Sequence, residues 1–178
     1  MEMKPYERLC GIYKEKNADY KNSFHRTICK YGMVAGLVRI SDKYERIQSL
    51  LESGEWHVRD ESLTDSIGDM ATYCVMMAAE CMVMLDRNHA LDPKDSENTE
   101  HVIALFEKCD GSIYEQYCPK RLRPFASVFF ESLEQNILDE VSEKHYEMIL
   151  DSSLALATVM YAWYCNAIAD KEGKDGYG

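Results

Sequence analysis

The chain has 178 residues, enough for one domain or two small halves around a real core, and its 46% hydrophobic and 29% charged residues form a globular balance. A formal net charge of −11 opposes binding to a nucleic-acid polymer or an anionic membrane, whereas a nucleotide arriving with its own metal carries a compensating charge. Seven cysteines without a Cys-x-x-Cys pair read as reduced core thiols of a cytoplasmic protein, and five scattered histidines without His-x-x-x-His leave zinc without ligands.

The opening MEMKPYERL lacks the apolar core of a signal peptide, and no charge-free apolar run reaches about 18 residues, so neither a leader nor a membrane span is expected. Prolines and glycines are few and sit mostly between periodic segments, which predicts an all-α protein. A first helix starts near Pro5 and carries Tyr6, Leu9, Ile12 and Tyr13 on one face, with a break or bend expected over Lys16 to Phe24. A long second helix is predicted over His25 to Leu51, where Ile28, Tyr31, Val34, Leu37, Ile40, Tyr44 and Ile47 recur at three- and four-residue steps. Gly32 and Gly36 fall inside it, each at a cost of about 1 kcal/mol relative to Ala that close packing of a neighbour would offset. The short stretch SGEWHVRD then returns the chain antiparallel.

The following helix, Arg59 to Asp86, begins acidic and ends apolar. Asp60 is the expected N-cap, and Glu61, Asp65 and Asp69 at i, i+4 and i+8 form one column of carboxylates. Like charges a turn apart repel, so the column is either a solvated helix start suited to the dipole or a holder for a hard divalent cation. Met76, Met77, Met82 and Met84 in the apolar half read as core filling.

After Asp86 comes RNHALDPKDSENTE, a polar loop or a boundary between halves. Helices are expected near Glu100 to Cys109, Tyr114 to Gln116 with a turn at Pro119, Pro124 to Leu138, and Glu143 to Ala169. The organisation predicted is a helical domain over 1–90 carrying the site, a second helical half over 91–170, and a disordered tail over 171–178. The second half echoes the first: EMILDSSLALAT laid on ESLTDSIGDMAT pairs Glu147 with Glu61, Asp151 with Asp65, Ser152 with Ser66, Ala157 with Ala71 and Thr158 with Thr72, while Asp69 meets Ala155. This is either a degenerate helical repeat or a chance match of amphipathic helices.

Within the second helix, Arg39, Asp42, Lys43 and Arg46 share one face, with Glu45 at i+3 from Asp42. Antiparallel pairing would bring these groups against the carboxylate column, in a site of acids flanked by cations. Such a site suits a metal that bridges phosphate oxygens, with Lys or Arg neutralising developing charge. The alternative is a surface face laced with ion pairs worth a few tenths of a kcal/mol each.

Three blocks, KNADYKNSF from Lys16, RISDKYER from Arg39 and ESLTDSIGDMATY from Glu61, resemble the nucleotide modification associated domain proteins of phages and bacteria. These look like a branch of the all-α NTP pyrophosphohydrolases, the superfamily containing MazG and the dimeric dUTPases, and the resemblance covers Lys16 to Leu85. It implies a helical bundle that uses Mg²⁺, or Mn²⁺, to split a nucleoside triphosphate into the monophosphate and pyrophosphate. It also implies a cytoplasmic homo-oligomer, a dimer, in a bacterial or phage-infected cell.

The better-known members hold metal on an E-x-x-E pair and an E-x-x-D pair. This chain has Asp42-x-x-Glu45 for the first and Ser66-x-x-Asp69 for the second, with Asp65 and Glu61 near the missing acid. The implied metal ligands are Asp42, Glu45, Glu61, Asp65 and Asp69, and the implied general base is Glu45 or Glu61. On the substrate side stand Lys16, Arg39, Lys43 and Arg46 for phosphates, Asn22 for a base edge, and Asp19. Tyr20, Phe24 and Tyr73 stack on a base or pack in the core. Ser66 motivates a second reading, a non-catalytic nucleotide-sensing or protein-interaction module.

Overall fold

The computed structural model describes residues 4–53, 62–86, 92, 97–108, 117–139 and 145–175, and these form seven α-helices with no strand among them. The all-α expectation holds. Helix α1 (Pro5–Tyr20) has Pro5 in its first turn and Glu7 accepting the Lys4 backbone N–H at 2.9 Å. It ends where Lys21 and Asn22 turn left-handed, at φ 50° and 56°. The single helix expected from His25 is two helices, α2 (Ser23–Tyr31) and α3 (Met33–Ser53), separated by Gly32 at φ 77°. A residue with a Cβ resists that conformation, so Gly32 marks the break rather than weakening a helix interior.

Gly36 remains helical and serves close packing: a Cβ there would lie 2.5 Å from the Met77 methyl and 3.0 Å from the Phe24 ring. Helix α4 (Leu63–Asp86) is closed by a capping box. The Ser62 N–H and hydroxyl donate to Asp65 Oδ2 at 2.8 and 2.6 Å, and the Asp65 N–H donates back to Ser62 Oγ at 3.2 Å. Asp60, the expected cap, and Glu61 lie outside the described residues.

Three helices complete the chain: α5 (Glu97–Lys108), α6 (Pro119–Leu138) and α7 (His145–Asp175). Pro119 opens α6 and Pro124, expected to begin it, lies inside and exposed, so the backbone bond it removes faces solvent. The α7 backbone continues to Asp175, through most of the tail expected to be disordered. The helix expected at Tyr114 to Gln116 lies outside the described residues.

The core is the α4–α7 pair, which packs along most of its length, with α3 covering α4 and α6 covering α7. Both core helices are long and apolar enough to cross a membrane, but 78% and 61% of their apolar windows are buried inside the bundle. Met70, Met77, Leu156 and Met160 are almost wholly enclosed there, each contributing about 1.5–3 kcal/mol of burial free energy. Helices α1 and α5 pack on α4 and on each other, and α2 packs on α3.

The hairpins α3–α4 and α6–α7 share one register. The shift that lays Glu147 on Glu61 also lays Pro119, the start of α6, on Met33, the start of α3. Buried positions then fall on buried ones: Gly36 on Leu122, Ile40 on Ala126, Ile47 on Leu133, Met70 on Leu156 and Cys74 on Met160. Exposed Val38, Asp42 and Glu45 fall on exposed Pro124, Val128 and Glu131. The paired hydroxyls of Thr72 and Thr158 each donate to the carbonyl four residues back, at 2.9 and 2.8 Å. Where the hairpins meet, the equivalent rings of Tyr44 and Phe130 stack at 4.1 Å with an 11° tilt.

Candidate functional site: a cationic pocket on the first hairpin

Helix α4 turns Asp69, Thr72, Tyr73 and Met76 toward a cavity of about 360 Å³, the spacing of a single helical face. Helix α1 supplies Ile12, Tyr13, Lys16, Asn17 and Tyr20, α2 supplies Ser23 and Phe24, and α3 supplies Arg39. The volume is that of a small-molecule site. Its walls are partly aromatic: Phe24 stacks on Tyr73 at 5.8 Å and 15°, and Tyr20 stands at the rim, 64% exposed.

The charged groups are organised around one carboxylate. Lys16 Nζ donates to Asp69 Oδ1 and Lys43 Nζ lies on Oδ2, each at 2.9 Å, so α1 and α3 are both tied to α4 through Asp69. Burial works to lower the Lys16 pKa, but the hydrogen bond and charge of Asp69 outweigh it and hold the ammonium above the usual lysine value. Arg39 lines the same cavity with no ion-pair partner among the described residues. Two lysines therefore hold one acid while Arg39 lines the same cavity, a local excess of positive charge on a chain of net charge −11.

The structure brings Lys16, Tyr20, Phe24, Arg39, Lys43, Asp69 and Tyr73 to this one place and leaves other expected residues elsewhere. Asp42 and Glu45 are exposed on α3 and do not line the cavity, and Asp19 is exposed on α1. Asp65 is held in the α4 cap, and Arg46 is half-buried on α3 away from the cavity lining. Glu61 lies outside the described residues. Ser66, at the place of the missing acid, is 2% exposed and faces the interior. Among the described residues, no three of His, Cys, Asp and Glu come together as a metal nest.

Asn22 is spoken for by a buried polar chain rather than by a base edge. Its Nδ2 donates to Asn98 Oδ1 at 2.8 Å, and Asn98 Nδ2 donates to Glu80 Oε1 at 2.8 Å. Glu80 Oε2 lies 2.7 Å from His25 Nδ1, with both side chains enclosed, and His25 Nε2 donates to the Asp92 carbonyl at 2.8 Å. This chain pins α2, α4, α5 and Asp92 together. Sequence reasoning missed it, although Glu80 is the one charge inside the apolar run AAECMVM and could not have been buried alone. It also missed Asn17, Ser23 and Thr72, polar lining residues in amphipathic segments that carry no distinguishing pattern.

The fold is an all-α bundle with a partly aromatic cavity lined by Lys16, Arg39 and Asp69. Residues 16–80 match the family described as nucleotide modification associated domain 1. Every lining residue except Ile12 and Tyr13 falls within that stretch, and α5, α6 and α7 lie outside it. No curated protein and no solved structure matches the chain.

Proposed function

We propose that the pocket between α1, α2, α3 and α4 binds a nucleotide, with phosphate oxygens on Lys16, Arg39 and Lys43 and the base against Tyr20 and the Phe24–Tyr73 wall. The observation that carries this reading is one cavity lined by Lys16, Arg39, Tyr20, Phe24 and Tyr73, all within the stretch that matches the family, with Lys43 held on the lining Asp69. Charge-assisted bonds from Lys and Arg hold phosphate, and aromatic faces accept a base with little regard to its identity.

Two outcomes of binding compete. One is the Mg²⁺- or Mn²⁺-dependent splitting of a nucleoside triphosphate into monophosphate and pyrophosphate; the other is nucleotide sensing without turnover. The described carboxylates do not fit a resident Mg²⁺, which needs several oxygen ligands: both Asp69 oxygens hold lysines, Asp65 caps α4, and the exposed Asp42 and Glu45 are not part of the cavity lining. That misfit favours sensing.

Incubation with a panel of canonical and modified NTPs and dNTPs, with Mg²⁺ and with EDTA, separates the two. Equilibrium binding is measured beside product analysis by ion exchange. Monophosphate and pyrophosphate from one substrate would establish the hydrolase, and binding without product the sensor. Neither binding nor product across the panel would remove the nucleotide reading.

A further inference from the structure

Asp69 sits where a bound anion would sit. Each of its oxygens accepts one lysine at 2.9 Å, Lys16 from α1 and Lys43 from α3, and among the described residues it is the one acid lining that space. A carboxylate so engaged is a poor ligand for a cation, because the two ammonium groups would have to leave and would repel the incoming charge. Arg39 stands by without a counter-ion among the described residues, so the cavity is short of negative charge even with Asp69 in place.

We infer that Asp69 is an internal stand-in for the ligand's phosphate: it holds Lys16 and Lys43 in position in the free protein and yields them to a phosphate dianion that binds without a divalent metal. The inference rests on the proposed nucleotide-binding function and adds how the phosphate is held. It assigns Asp69 as a competitor of the ligand, and this sets the sign of a substitution. If Asp69 held a metal, Asp69→Asn would weaken binding; as a stand-in, Asp69→Asn frees two lysines and removes a like charge from beside the phosphate, which tightens binding by about tenfold.

The test is calorimetric titration of the full chain, Asp69→Asn and Arg39→Ala with the four 2′-deoxynucleoside 5′-monophosphates, in EDTA and in Mg²⁺. The expected result is binding in EDTA equal to that in Mg²⁺, about tenfold tighter in Asp69→Asn, and at least tenfold weaker in Arg39→Ala. Binding that requires Mg²⁺, or that weakens in Asp69→Asn, overturns the stand-in role and leaves the nucleotide site standing. Absence of binding in both the native chain and Asp69→Asn overturns the nucleotide site itself. Because the two substitutions are expected to act in opposite directions, loss of fold cannot imitate the result.

Discussion

The two hairpins of this protein share a frame and differ in the groups that could do chemistry. Under the shift that superposes them, Arg39, Lys43, Asp69 and Tyr73 of the first fall on Phe125, Phe129, Ala155 and Val159 of the second. Buried Ile40, Ile47, Met70 and Cys74 fall on buried apolar residues, while these four, partly exposed in the first hairpin, lose their charge and polarity in the second. Core burial specifies the bundle, and the charged and polar groups are found on one hairpin of it. We propose that the second hairpin is a degenerate internal copy of the first that supplies packing.

The sharpest contrast in stability is expected at Glu80 and its equivalent, Asn166. Glu80→Ala strips His25 and Asn98 of a buried partner and should cost about 3 kcal/mol. Asn166 donates only to the Tyr117 and Ala162 carbonyls, and Asn166→Ala should cost about 1 kcal/mol. Urea unfolding of both variants checks the ordering, and equal losses would place the polar chain outside the stable core.

Gly68 falls on Leu154 of the second hairpin, and the first has no room for such a side chain. A Cβ at Gly68 would meet the Tyr164 ring at 2.9 Å and Leu9 at 3.1 Å, so Gly68→Ala should destabilise by about 1–3 kcal/mol, read as a lowered unfolding midpoint. A gain in stability instead would mean that α1 and α7 approach α4 less closely than the structure has it.

The smallest contrast is between the paired serines. Ser152 Oγ donates to the Met148 carbonyl at 2.8 Å, whereas the buried Ser66 Oγ has no hydrogen-bond partner among the described residues. Ser152→Ala should therefore cost about 1 kcal/mol and Ser66→Ala about nothing, again by urea unfolding. A clear loss in Ser66→Ala would indicate a partner for this hydroxyl and reopen a role for it in the site.

Much of this was legible from residue spacing. The heptad-like apolar steps gave the helices, and the weak match of EMILDSSLALAT to ESLTDSIGDMAT found the register that the helix boundaries also obey. Residue type, spacing and the family resemblance single out Lys16, Arg39, Lys43, Asp69 and Tyr73 as candidates. The misreadings have physical causes. Gly32 was placed inside a helix because spacing cannot distinguish a glycine admitted by packing from one that supplies a left-handed turn. Asp65 and Asp69 share a column, yet Asp65 is taken by the Ser62 cap and Asp69 by lysines from two other helices, and only tertiary structure decides which partner a carboxylate finds. The interior position of Ser66 was hidden for the same reason: its helix is buried on more than one side.

Methyl NMR of the methionines during titration with the 2′-deoxynucleoside 5′-monophosphates decides whether a nucleotide binds at the first hairpin and not at the second. Met76 lines the pocket, while Met148 and Met160 lie on α7 in the second hairpin. The account predicts saturable shifts of the Met76 methyl with at least one nucleotide, lost in Arg39→Ala, and still signals from Met148 and Met160. Shifts centred on Met148 or Met160, or none at Met76 with any nucleotide, would contradict it.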